Sequence, residues 1–191
     1  MIIVYFDGAC EPYNPKGIAT YGYVIYRDYD KKVAEGKGLA AEPFSYQSSN
    51  NVAEYTAMIK ALEFLVNHHL TDEEVIVKGD SQLTIRQMLG LYNVNAPRII
   101  PLYKKAKELA SQFRKIKFIW IPREENEEAD ELSHIAYDEY LDAHPEVIDK
   151  IKYTFATEKQ KKFMERLNIK YDKYISKREA SRLIKRKLKW R

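Results

Sequence analysis

The sequence predicts an α/β fold, a mixed sheet flanked by helices with a small helical hairpin after it. Three observations predict this. Three runs rich in β-branched and aromatic residues follow one another at the amino end, helical and strand-like periods then alternate, and the charge balance reverses near residue 149. Strands in direct succession pair antiparallel, whereas strands separated by helices pair parallel, so the sheet is expected to change character partway across.

Residues 2–7 form a continuous apolar run of the kind that makes a buried strand, ending at Asp7. Residues 18–27 and 32–40 are rich in Ile, Val, Thr and Tyr and predict two further strands, with Asp28 to Lys31 as the tight turn between them. From Val52 to His68, Tyr55, Met58, Ile59, Leu62, Leu65 and Val66 recur at the spacing of one helix face. Val75 to Lys78 reads as a short strand, and Ser81 to Leu89 as a short helix after it. Pro97 and Pro101 bracket the start of the next helix, whose inner side carries Leu102, Ala106, Leu109 and Phe113. Ile116 to Ile121 predicts the last strand, stopped by Pro122, and a helix near Glu127 to Tyr140 closes the body.

His144-Pro145 marks the expected boundary between a body, residues 1–144, and a C-terminal module, residues 145–191. In the module, Glu158 to Leu167 and Ser176 to Leu188 have helical spacing, with Thr157 and Ser176 placed as N-caps. Phe163, Leu167, Ile169, Tyr174, Ala180, Leu183 and Ile184 are its candidate core. Residues 1–149 hold 16 Lys+Arg against 24 Asp+Glu, a charge of −8; residues 150–191 hold 16 against 4, a charge of +12. A basic tail on an acidic body points to an anionic partner, most often nucleic acid, against the plainer reading of a solvated basic helix pair.

Hydrophobic content of 45% and charged content of 31% are ordinary for a globular protein. No apolar run approaches the roughly 20 residues a membrane span needs, and the amino end lacks a signal-peptide pattern. The single cysteine, Cys10, rules out an intrachain disulfide framework. A cytoplasmic, monomeric protein without membrane attachment is therefore expected.

Four acids are placed where solubility alone does not require them. Asp7 and Asp80 each close an apolar strand, Asp7 before Gly8-Ala9-Cys10 and Asp80 within Gly79-Asp80-Ser81-Gln82. Glu54 sits at the mouth of an amphipathic helix and Asp130 at the start of another. Singly each has a plain explanation: Asp7 a turn former, Glu54 a surface charge, Asp80 a helix cap, Asp130 one acid on an exposed face. Brought together, their repulsion is most simply relieved by one or two divalent cations with oxygen ligands. Such a site suits metal-dependent chemistry on a phosphate-bearing substrate.

The chain resembles the type 1 ribonuclease H family. The resemblance is carried by Asp7-Gly8-Ala9-Cys10 with Asn14-Pro15-Lys16-Gly17, by Asn50-Asn51-Val52-Ala53-Glu54-Tyr55, by Gly79-Asp80-Ser81-Gln82 and by Asn126-Glu127-Glu128-Ala129-Asp130-Glu131-Leu132, in the family's order over residues 1 to about 142. It implies a five-stranded mixed sheet flanked by helices. It also implies hydrolysis of the RNA strand of RNA/DNA hybrids with two Mg²⁺ ions, Mn²⁺ able to substitute, leaving 5′-phosphate and 3′-hydroxyl ends. By the same resemblance Asp7 would bridge the ions, Asp130 would complete the water-activating site, and Glu54 and Asp80 the leaving-group site. Cys10, Asn14, Asn50, Asn51 and Gln82 would meet the substrate in its minor groove, Asn14 despite an extra residue in the loop before it.

Two features depart from the family's pattern. The loop before Asp130 has no histidine; Arg123 stands there, as a phosphate or substrate contact or as the partner of Glu124 or Glu127. The segment Leu89 to Ile99 is too short and uncharged to be a basic handle for hybrids. The tail is the expected substitute, through Lys/Arg residues that include Lys161, Lys162, Arg182 and Arg186, with Trp190 available for base stacking. Thr157 to Ile184 looks like a small helical module found at the ends of various proteins, which assigns no activity. The alternatives kept open are a hybrid- or RNA-binding module without turnover, and the same fold acting on double-stranded RNA or RNA-DNA junctions.

Overall fold

A computed structural model describes residues 1–189; Trp190, expected above as a stacking residue, lies outside the described residues. The chain divides into two compact units, residues 1–137 and residues from Asp138 onward.

The first unit is built on a five-stranded sheet of order β3-β2-β1-β4-β5. Its strands are β1 (Ile2–Glu11), β2 (Ile18–Arg27), β3 (Lys31–Leu39), β4 (Glu74–Gly79) and β5 (Lys115–Trp120). The first three form the expected antiparallel meander, and β1, β4 and β5 are parallel. The helices are α1 (Asn50–Asn67), α2 (Gln82–Met88), α3 (Ile100–Ala110) and α4 (Glu127–Ala143). One face of the sheet, with Ile2, Val4, Phe6, Ile25, Val75 and Val77, packs with Tyr55, Met58, Leu62 and Leu65 of α1 and with Ala106, Leu109 and Phe113 behind them. The predicted helix face is thus the buried one. On the opposite face Ile3 and Val24 are buried, and Ala129, Leu132 and Ala136 are the buried side of α4.

Asp7 does not end its strand as the apolar run suggested. β1 pairs with β2 as far as Glu11↔Ile18, while its pairing with β4 stops at Phe6↔Gly79. Backbone hydrogen bonding to β2 holds the strand extended through polar residues that the hydrophobic pattern alone cannot assign. The result is a notch, because β1 continues alone on the side where β4 has ended.

Capping follows local chemistry. Ser49 caps α1, so Asn50 and Asn51 occupy its first turn rather than the cap. Ser81 caps α2 by accepting from the Thr84 N–H, which leaves Asp80 free of that role.

The second unit takes the end of α4, then α5 (Pro145–Ile151), α6 (Glu158–Arg166) and α7 (Lys177–Lys189). The division falls inside α4, whose helical run carries on to Ala143, rather than at His144-Pro145; Pro145 opens α5, a helix the sequence reading did not assign. Thr157 and Gln160 form a reciprocal capping box at α6, and Ser176 accepts from the Glu179 N–H at α7. The core differs from expectation at Phe163 and at Tyr174, which is half-buried, outside the packed cluster, with its hydroxyl on Asp142. Ala156, Met164, Ile175 and Ala180 fill the core, with Ile169, Leu183 and Ile184 packed against them, while Phe163 is 39% exposed. The inward line of α6 runs through Met164 and Leu167, one residue out of step with Phe163.

Candidate active site

The notch between β1 and β4 gathers the acids. Asp7 lies on the part of β1 that outruns β4, and Asp80 follows β4 directly. Glu54 reaches them from α1 because Gly8 has no side chain: a Cβ there would stand 2.2 Å from the Glu54 nitrogen and 2.3 Å from the Ala53 carbonyl carbon. The helix backbone rests on the strand backbone at that point. Asp7, Glu54 and Asp80 each offer an oxygen, and these oxygens lie within 4.8 Å of one another.

The second face supplies the support. Gly22 is the β2 partner of Asp7, and a Cβ on it would stand 2.4 Å from the Ala129 carbonyl oxygen and 2.6 Å from the Ser133 nitrogen. With glycine there, α4 lies against β2 and brings Ser133 Oγ to 2.7 Å from Asp7 Oδ2 and 2.8 Å from the carbonyl oxygen of Asp130. The hydroxyl donates toward both acceptors, and its hydrogen bond to Asp7 favours the ionised carboxylate. Asn126 Nδ2 donates to the Phe6 carbonyl (2.9 Å) and to Asp80 Oδ1 (3.0 Å), tying β1 to the acid that follows β4.

Asp130 stands slightly apart. Its carboxylate accepts from Arg123 Nη2 at 2.6 Å and lies 3.9 Å from His134 Nε2. It is not one of the three acids whose oxygens converge, yet its charge reaches Asp7. Burial, then the charges of Asp130 and Asp80, push the Asp7 carboxyl up to about 7, against the opposing pull of Ser133 and Arg123. Glu54 is pushed well above the ordinary carboxylate range, first by burial and then by Asp7 and Asp80; the Gly8 N–H opposes this by hydrogen bonding. Glu54 Oε2 is buried with no hydrogen-bond partner.

A cluster of this kind costs stability without a counter-charge, since burial and repulsion both disfavour ionisation. Three hard oxygen donors and an unpartnered buried oxygen fit a divalent cation. The cluster comes from a strand, a helix and a strand end of one sheet, all rigid elements.

Comparison with known proteins agrees with this architecture. A family model described as "Reverse transcriptase-like" matches residues 5–136. LC11-RNase H1, solved in complex with an RNA/DNA hybrid, is 37% identical, covers 74% of this chain and 99% of its own, and superposes with a TM-score of 0.66. The chain belongs to the type 1 ribonuclease H family. Bifunctional protein Rv2228c of Mycobacterium tuberculosis is 37% identical over 138 residues, and ribonuclease HI of Halobacterium salinarum 36% over 135, covering 72% and 71% of this chain. The chain spans 35% and 63% of the lengths of these two relatives. The family match ends at residue 136, one residue short of the end of the first compact unit at Tyr137.

The other residues that the family resemblance pointed to are placed less uniformly. Asn14, Asn50 and Gln82 are exposed and Asn51 half-buried. Asn14 Oδ1 accepts from the Asn50 N–H (3.0 Å), and buried Ser48 donates to the Gly17 carbonyl (2.7 Å), so the loop after β1 is stitched to the start of α1. Cys10 is buried and its thiol donates to the Tyr13 carbonyl at 2.9 Å, because that loop folds back over it. Arg123 pairs with Asp130 through Nη2.

Four positions escaped the sequence reading. Ser133 was legible in principle, one helical turn beyond Asp130, and Asn126 lay inside a quoted motif without being given a role. Gly22 carried the signal of a lone glycine in a β-rich run, which marks close backbone approach. Ser48 carried no signal short of the fold.

Proposed function

We propose that the chain is an endonuclease that hydrolyses the RNA strand of RNA/DNA hybrids. The observation that carries this reading is the convergence of Asp7, Glu54 and Asp80, with a buried unpartnered Glu54 oxygen, in a member of the ribonuclease H family. The solved relative holding an RNA/DNA hybrid supports the substrate class.

Asp7, Glu54 and Asp80, with Asp130 at their edge, would hold two Mg²⁺ ions, Mn²⁺ able to replace them. Bound there, the ions supply an activated water and charge stabilisation at the leaving oxygen. The rest is the work of this chain's own groups. Ser133 fixes the rotamer of Asp7 and Asn126 that of Asp80, so both carboxylates are oriented before any ligand arrives. Arg123 neutralises Asp130 and lowers the repulsion that Asp7 feels. Asn14, Asn50, Asn51 and Gln82 form a rim of small polar groups suited to the 2′-hydroxyls of a wide, shallow groove.

The test is a side-by-side digestion of end-labelled RNA/DNA hybrid, double-stranded RNA and an RNA-DNA junction, with Mg²⁺ and with chelator. The expected result is metal-dependent cleavage of the hybrid's RNA strand to 3′-hydroxyl products. Equal cleavage with chelator, or binding without any cleavage, would end the proposal. Replacing Ser133 by Ala should raise the Mg²⁺ concentration needed for half-maximal rate by about 10- to 100-fold, the usual cost of losing a group that orients a ligand. A Mg²⁺ titration of the rate reads this directly, and an unchanged midpoint would remove Ser133 from the machinery.

A further inference from the structure

We propose that the second unit carries its own site for single-stranded nucleic acid, a groove beside α6 in which Phe163 stacks a base and Lys159, Lys162 and Arg166 hold phosphates. This site lies beyond the family match and does not rest on the ribonuclease reading.

The local sequence sets it up. Lys159, Lys162, Phe163 and Arg166 fall at the i, i+3, i+4 and i+7 positions of α6 and so share one face. The core is taken by Met164 on another face, which leaves this one unclaimed. Together with Ile184 of α7 these residues line a groove of about 700 Å³. A large aromatic side chain is therefore kept 39% exposed beside three cations.

Charge separates these cations from their neighbours. Lys161 pairs with Glu158 (3.5 Å) and Arg182 with Glu179, so two tail residues singled out in the sequence are engaged within their own helices. Among the described residues, Lys159, Lys162 and Arg166 form no ion pair. Glu158 also lines the groove, and its pairing with Lys161 tempers its repulsion of an anion.

The ligand that fits is anionic and carries a flat apolar part. A single strand presents both, as phosphates for the cations and an open π-face for Phe163. A duplex hides its bases and would use the cations alone. The +12 charge of residues 150–191 adds counterion release along the strand.

The experiment uses the full chain and a fluorescein-labelled oligothymidylate of about 15 nucleotides, without divalent metal, read by fluorescence anisotropy across salt. DNA contains no RNA bond to cut, so the readout is independent of cleavage and of the carboxylate cluster. Phe163→Ala and Phe163→Leu should each weaken binding about tenfold or more, and Phe163→Tyr should restore it. Lys159→Glu with Lys162→Glu, both outside the core, should weaken binding and flatten its salt dependence by about 1.4 in log–log slope. Wild-type binding by Phe163→Leu would overturn stacking. Equal affinity for duplex DNA would reduce the groove to a phosphate surface, and competition by polyglutamate at matched charge would replace the strand with an acidic protein; either result overturns the proposal.

Discussion

Asp7→Asn is expected to abolish hybrid cleavage while making the metal-free protein more stable at neutral pH. Losing one carboxylate from a site whose metal contributes several kcal/mol corresponds to a rate loss of about 10³-fold or more. The stability effect comes from the raised titration of Asp7. Below about pH 4 both folded and unfolded chains hold the proton and this group's contribution to stability is complete. Between about pH 4 and the folded value of about 7, the unfolded chain releases its proton while the folded one keeps it. That contribution is therefore lost as pH rises, by on the order of 4 kcal/mol at pH 7. Glu54 acts in the same direction. Glu73 and Glu128, held below the usual range, act oppositely, Glu73 through its Arg27 hydrogen bond and Glu128 through Lys32 and Tyr26 against its own burial. They are common to both proteins, so the difference between wild type and variant isolates the site. Thermal melts in chelator should show the variant higher by on the order of 10 °C at pH 7 and converging with wild type near pH 4. Mg²⁺ should raise the melting temperature of wild type alone. A variant that melts like wild type at pH 7, or still cleaves, would contradict the arrangement of the cluster.

Gly8→Ala is expected to be the most damaging single methyl in the first unit. The added carbon would meet backbone atoms of Ala53 and Glu54 at 2.2 to 2.3 Å, and helix backbone cannot swing aside as a side chain can. Overpacking of this kind costs about 3 kcal/mol. It also moves Glu54 away from Asp7, and a displacement of about 1 Å at a reacting centre costs roughly 10²-fold in rate. Gly38→Ala is the matched control, because its Cβ would meet only the edge of the Tyr21 ring at 3.3 Å. Urea denaturation and single-turnover cleavage of both variants should separate them clearly. Equal midpoints would mean that α1 does not rest on β1 at Gly8.

Much of this molecule is legible without coordinates. The apolar period of residues 52–68 fixes which side of α1 is buried, and Tyr55, Met58, Leu62 and Leu65 are the residues found inside. The β-rich runs set the meander, the alternation that follows sets the parallel half, and the caps at Thr157 and Ser176 stand where a hydroxyl precedes a helical period. Asp7 and Asp80 stood out as acids closing apolar runs and Glu54 and Asp130 as acids at helix starts; of these four, Asp7, Glu54 and Asp80 converge. All of these signals are local, arising from which side of a strand or helix a residue occupies and from side chains reaching backbone a few positions away.

What the tertiary structure alone decided involves segments far apart in the chain. That β1 outlasts β4, that Gly8 and Gly22 admit helices from opposite faces, that Ser133 and Asn126 orient the acids, that Cys10 turns inward and Phe163 outward all depend on register and backbone approach between elements. Periodicity says which face of an element is apolar; it does not say how closely, or at which residue, another element will lie on it. Those distances decide which oxygens converge.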